Sequence, residues 1–113
     1  MKNYCIIDED GNKYWYCNDK LHRLDGPAVE MADGSKRWHV EGTLHRLDGP
    51  AMEDEYGKYW YFEGFLHRTD GPAIELENGY TEWYHHGYLF LREWRRKISI
   101  LDNICLRPRR QNT

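Results

Sequence analysis

Long apolar runs are missing from this chain. No stretch approaches the roughly 18 consecutive apolar residues that a membrane-spanning helix needs. Its first eleven residues, MKNYCIIDEDG, hold one Lys and no apolar h-region of the kind that marks a secretory leader, which leads us to expect a cytoplasmic protein with no membrane partner. Cysteine is also scarce. Cys5, Cys17 and Cys105 are an odd, widely spaced set without a C-x-x-C pair, which argues against a disulfide framework or a Cys-based zinc site. They are expected to be reduced thiols packed as small apolar residues. Only four prolines interrupt 113 residues, and no segment has the composition of a disordered linker, so one domain is expected.

Aromatic residues, by contrast, are plentiful. Nine Tyr and five Trp dominate the apolar content, so the expected core is built from rings more than from Leu and Ile. Charge is uneven. Seven Lys/Arg against Glu93 and Asp102 give Arg92–Arg110 a local +5, which leaves −8 on the rest of a chain whose net charge is −3.

The sequence repeats. Trp15, Trp38, Trp60 and Trp83 are spaced 23, 22 and 23 residues apart, and Leu21, Leu44, Leu66 and Leu89 follow the same intervals. Gly42, Gly64 and Gly87 each stand four residues after a Trp, with Asp19 in that place in the first copy. LHRLDGPA at 21–28 recurs at 44–51 and returns as LHRTDGPA at 66–73. Each unit reads as β structure. Strand-forming residues around the Trp meet a two-residue turn (ND, EG), and after the DGP turn a further strand begins (AVEM, AMED, AIEL). YCIIDEDG at 4–11 matches the second half of a unit and is expected to be a starting cap. Repeats are then expected at about 12–34, 35–57 and 58–79, with a degenerate finishing copy at 80–90, since terminal repeats usually deviate. Beyond it, Leu91, Trp94, Ile98, Leu101 and Cys105 fall three or four residues apart, which predicts an amphipathic capping helix over 91–106 and a basic tail over 107–113.

The order Tyr-Trp-Tyr-x-x-Gly-x-x-His, then Asp-Gly, at a period of about 23 resembles MORN repeats over residues 4–90, in a variant whose loop reads His-Arg-x-Asp-Gly-Pro-Ala. The resemblance implies an elongated antiparallel meander of about eight main strands. It also implies non-enzymatic binding of another protein, as in viral or mobile-element inhibitors of host proteins, acting in the host cytoplasm, or in antitoxin and immunity proteins. The His-Arg-x-Asp loop departs from the standard MORN loop, so the lipid association known in that family is not carried over.

His22, His45 and His67 next to Asp25, Asp48 and Asp70 invite a catalytic reading, in which His is a base oriented by Asp. An active site needs one asymmetric constellation, and these copies recur in step without a Ser or Cys nucleophile. Equivalent histidines two strands apart would stand about 10 Å from one another, too far to share a zinc whose ligands sit about 2 Å away. No catalytic residue, metal ligand or cofactor is therefore expected. Arg23, Arg46 and Arg68 should pair with the loop Asp or with a neighbouring repeat's Glu (Glu30, Glu53, Glu75), and the histidines should close the loops by hydrogen bonds. Alternation along the Trp strands turns Tyr14, Tyr16, Arg37, His39, Tyr59, Tyr61 and Tyr84 away from the Trp face, making them the candidate protein-binding row, for a partner or for a second copy in a homodimer. The alternative site is for a small anion or nucleotide, held by His22, Arg23, His45, Arg46, His67 and Arg68. Nucleic acid at the basic C-terminal segment is a further reading, disfavoured by the acidic body.

Overall fold

A computed structural model describes residues 2–94. Fourteen antiparallel strands occupy them: β1 (Asn3–Ile7), β2 (Lys13–Cys17), β3 (Lys20–Leu21), β4 (Val29–Glu30), β5 (Lys36–Arg37), β6 (His39–Val40), β7 (Thr43–Leu44), β8 (Met52–Asp54), β9 (Gly57–Tyr59), β10 (Tyr61–Phe62), β11 (Phe65–Leu66), β12 (Ile74–Leu76), β13 (Tyr80–His85) and β14 (Tyr88–Trp94). The main sheet runs β1-β2-β4-β5-β8-β9-β12-β13-β14, with β3 paired to β2, while β6-β7 and β10-β11 are separate hairpins. The described residues form an elongated all-β meander, with extents of 58 × 29 × 18 Å.

Each Trp strand breaks at its Trp in the second and third copies, leaving β5 and β9 in the main sheet and β6 and β10 in the hairpin row. The break is a sharing of partners. Trp38 N–H donates to the Ala51 carbonyl and Trp60 N–H to that of Ala73, while the Trp38 and Trp60 carbonyls accept from His45 and His67. One repeat thus contributes to two parallel rows of structure. Meander and hairpins agree with the sequence reading; nine strands form the main path where about eight were expected.

Spacing has a simple origin. Three residues lie inside the last bond between Asp8 and Asn12, inside that between Met31 and Ser35, and between the ends of β12 and β13 at Leu76 and Tyr80, in their Asp-Gly or Asn-Gly turns. Between β8 and β9 only Glu55 and Tyr56 intervene, because Asp54 pairs directly with Gly57. That shorter turn is the one-residue slip in the Trp and Leu intervals.

Registers place Ile6, Tyr14, Val29, Arg37, Met52, Tyr59, Ile74, Glu82 and Arg92 side by side across one face of the main sheet. The neighbouring rung, on the opposite face, reads Lys13, Glu30, Lys36, Glu53, Lys58 and Glu75. Opposite charges alternate along it, so each strand meets a complementary neighbour, and a slip by one residue would bring apolar residues against charged ones.

The core is thin. Ala28, Ala51 and Ala73 are fully buried and Val29 nearly so, whereas Trp15, Trp38, Trp60 and Trp83 are only half-buried. Rings therefore cover the small buried residues of the DGPA segments; they do not form an interior of their own. Cys5 is exposed and Cys17 half-buried, which corrects the expectation of packed thiols. Residues 91–94, expected to begin a helix, instead complete β14 through pairing with β13 as far as Tyr80–Trp94. Backbone pairing outweighs a helical spacing that is only four residues deep there. The rest of the expected helix, the basic tail and Cys105 lie outside the described residues. No described helix is long and apolar enough to cross a membrane.

Candidate functional site

The His-Arg-x-Asp-Gly-Pro-Ala loops stand along one edge of the meander, and each builds the same clamp. Arg23, Arg46 and Arg68 lie eight residues after Trp15, Trp38 and Trp60, and their guanidinium carbons stack 4.0, 3.8 and 3.8 Å from the ring centres. Nε of each Arg donates to the loop carboxylate, at 2.9 Å to Asp25, 3.1 Å to Asp48 and 3.0 Å to Asp70. Nη1 donates to the carbonyls of Pro27, Pro50 and Pro72 at 3.0–3.1 Å. The same nitrogen faces Glu30 at 3.3 Å, Glu53 at 3.8 Å and Glu75 at 2.9 Å. A planar fork with several fixed donors suits this task, and Lys could not reproduce it.

The loop glycines make room for that cation. A Cβ on Gly49 or Gly71 would come within 2.8 Å of the guanidinium carbon of Arg46 or Arg68, and one on Gly26 within 3.1 Å of that of Arg23. The guanidinium is thus held between an indole and a bare stretch of backbone.

Histidine does something different. The two-residue turns of the hairpin row hold both central residues at positive φ: Asn18 and Asp19, Glu41 and Gly42, Glu63 and Gly64, His86 and Gly87. This is the backbone of a type I′ turn, whose twist suits a tight hairpin. The N–H of the first central residue donates to the Nδ1 of the preceding repeat's histidine, Glu41 to His22, Glu63 to His45 and His86 to His67, each at 2.9 Å. The N–H of the following glycine donates to the preceding repeat's leucine carbonyl: Gly42 to Leu21 (2.7 Å), Gly64 to Leu44 (2.8 Å) and Gly87 to Leu66 (2.8 Å). Each Leu-His pair therefore receives both turn N–H groups of the next hairpin. The pairing imagined between His and Asp of one loop is replaced: Asp goes to Arg, and His to the next repeat.

The residues of the candidate protein-binding row are placed less uniformly than alternation suggests. Arg37 is exposed, but His39 is buried, with its Nδ1 3.4 Å from the Gly42 carbonyl and no partner for Nε2 among the described residues. Burial pushes its pKa below the usual His value, and the Arg37 charge adds to the effect. His39 therefore offers no surface to a partner, a correction to the sequence reading. It falls in the hairpin row, beyond the break at Trp38. Tyr14, Tyr16, Tyr59, Tyr61 and Tyr84 are half-buried. Tyr14 donates to Asp8, Tyr16 stacks on Tyr4 at 5.3 Å, and burial raises the phenol of Tyr61. Burial also raises Tyr59, with Asp54 adding to it. Tyr80 and Tyr84 both donate to Glu82 at 2.7 Å. Those bonds hold the Glu82 carboxyl low and push Tyr84 up to about 12.

The alternative anion set, His22, Arg23, His45, Arg46, His67 and Arg68, is brought to one edge. Its Nδ1, Nε and Nη1 atoms are already committed within the fold, which leaves little of each side chain for an outside anion. Sequence reasoning passed over Leu24 and Leu47, the x positions of the first two loops, which are 81% and 80% exposed. Their recurrence at one motif position was the available signal. Comparisons with protein-family models, curated proteins and solved structures found no match for this chain.

Proposed function

We propose that the chain is a non-enzymatic, MORN-like repeat module that binds another protein along the edge formed by its His-Arg-x-Asp-Gly-Pro loops. The observation that carries this reading is the exposure of Leu24 and Leu47. Every other side chain of those two motifs is stacked, hydrogen-bonded, buried or half-buried, or else is the outer carboxylate of a clamp. Single exposed leucines are ordinary on protein surfaces. Two at the same point of successive repeats, flanked by Asp25, Asp48 and Asp70 with more than four-fifths of each side chain exposed, make a periodic apolar and acidic strip. Thr69 takes the leucine's place in the third copy, so the apolar part of the strip is confined to the first two. The partner suited to it presents apolar sockets bordered by basic residues. The inhibitor or antitoxin role implied by the family resemblance would supply such a partner, and rests on that resemblance alone.

The test compares wild type with the double variant Leu24→Ser, Leu47→Ser, each used to capture protein from a lysate containing the partner. Wild type should retain one protein in stoichiometric amount, and the variant should lose it with an unchanged melting temperature. Equal capture by both would remove the loop edge from consideration. Loss through Tyr59→Ser, Tyr61→Ser with fold retained would favour the opposite face.

A further inference from the structure

The last repeat junction differs chemically from those before it. Turn positions filled by Val40 and Glu41 in the second copy, and by Phe62 and Glu63 in the third, are filled by His85 and His86 in the fourth. His67 already rests against that turn, as His22 and His45 rest against theirs. Substituting the turn therefore brings three imidazoles together where the earlier junctions hold one.

Their rings converge closely. His67 and His86 are stacked with centres 4.2 Å apart, His67 and His85 stand at 4.8 Å, and His85 and His86 at 4.5 Å. One nitrogen from each lies within 4.8 Å of the others, the single such group of three potential ligands found among the described residues. His85 and His86 are exposed and free to rotate toward a shared centre, whereas half-buried His67 is fixed by the fold.

We propose that His67, His85 and His86 form a binding site for one divalent transition-metal ion, with Zn2+ as the natural occupant. Three imidazoles and no carboxylate in the group select zinc, copper or nickel over magnesium or calcium. Zinc takes nitrogen ligands at about 2.0–2.1 Å, so the ligand atoms must close to a little over 3 Å from one another. Rotation of the two exposed rings supplies that closure. Three protein ligands leave a fourth position facing solvent, open to water or to a donor from another molecule.

Occupancy has a structural consequence. Whichever nitrogen of His67 takes the ion, the bond from the His86 N–H is given up. At Nδ1 the metal replaces it directly, and at Nε2 the ring's single proton must move to Nδ1. One hydrogen bond is exchanged for a three-ligand clasp, which adds side-chain links to the backbone bonds (Gly87 to Leu66, Arg68 to Tyr84) that already hold the terminal β13–β14 hairpin to the third repeat.

Titrating the full chain with ZnCl2 in a calorimeter, followed by CoCl2 with absorbance detection, tests the site. Wild type should saturate at one ion per chain, and the cobalt spectrum should lack a thiolate charge-transfer band. Loss of an outer partner of a metal ligand alone weakens binding about 10–100-fold, so the exposed double variant His85→Gln, His86→Gln should lose at least that much. Circular dichroism and melting of the metal-free double variant should match wild type, which separates loss of ligands from loss of fold. Unchanged affinity in that variant, a thiolate band, or no saturable binding by wild type would each overturn the site.

Discussion

The Nδ1 atom of His45 lies 2.9 Å from the backbone nitrogen of Glu63, although 18 residues separate them in the chain. Glu63 has a φ of 48°, in the left-handed region where a side chain is uncomfortable. Its N–H would otherwise turn toward solvent. Accepting that N–H places the neutral imidazole's proton on Nε2. The histidine is thus a clip between successive repeats.

Replacing His45 with Ala should cost about 0.5–1.5 kcal/mol, the usual net contribution of one hydrogen bond whose donor can turn to water when the acceptor is lost. The change should be local. Hydrogen exchange at the Glu63 amide should accelerate more than at the strand amides of β8 and β9. Wild-type melting together with unchanged exchange at Glu63 would show that the clip carries nothing.

Arg46 is predicted to be irreplaceable by Lys. Arg46→Lys should lose about 1–3 kcal/mol, because an ammonium cannot stack on Trp38 while donating to both Asp48 and the Pro50 carbonyl. Gly49→Ala should destabilise by a similar amount, since its methyl would enter the space of the guanidinium. Combined with Arg46→Ala it should cost much less than the sum, as expected for two residues sharing one site. A double-mutant cycle by urea denaturation measures this, and strict additivity would contradict the clamp.

Acid should weaken the fold through His39. Its folded-state pKa is below the ordinary His value because the ring is buried, so the unfolded chain binds more protons. Stability from this residue is complete above a pH of about 6.5 and falls as pH drops below it toward the folded pKa. The other three copies carry Tyr at the equivalent position, Tyr16, Tyr61 and Tyr84. His39→Tyr should therefore flatten the pH dependence between 7.5 and 5 (a range chosen to bracket about 6.5) and raise stability at neutral pH by about 0.5–2 kcal/mol. Part of the dependence should survive, because burial and the neighbouring His86 and His85 also lower His67. Parallel denaturation curves for the two proteins at both pH values would count against His39.

Gly57 should tolerate no side chain. A Cβ there would meet the Glu75 carbonyl oxygen and crowd Leu76 at 2.9 Å, and the contact is with backbone that cannot step aside. Gly57→Ala should lower stability by about 1–3 kcal/mol as overpacking. An unchanged melting temperature would mean that β9 and β12 can separate freely.

Much of this arrangement was legible in the sequence. Shared Trp and Leu intervals gave the repeat, EG and ND gave the tight turns, and the pairing of Arg with Asp followed from charge, while the Glu that each Arg meets belongs to its own repeat and not to a neighbouring one. The stacking of Arg on Trp was less visible, although the constant separation of eight residues held the signal. His39 was misplaced because alternation was carried through Trp38, where the strand in fact changes rows; a period of two cannot report a break in pairing. The three-histidine cluster escaped notice because its members come from two copies. Only the bonds from each turn to the Leu-His pair before it show that His67 meets His85 and His86.

The bonds between repeats are unequal in the two directions: two N–H groups of each later turn point back, and one, from Arg23, Arg46 or Arg68, points forward to the carbonyl of His39, Tyr61 or Tyr84. Each hairpin turn gives its two N–H groups to the copy before it, and for the first turn the Asn18 N–H goes to the Lys2 carbonyl. The molecule therefore has a polarity with respect to shortening. Cutting away the last copy leaves two acceptors bare, the His67 imidazole nitrogen and the Leu66 carbonyl, and a single donor, the Arg68 N–H. Cutting away the first strips the donors of a strained turn in the copy that remains. Truncation from the C-terminal end should be the gentler operation, and a chain lengthened by duplication should accept new units more easily at that end.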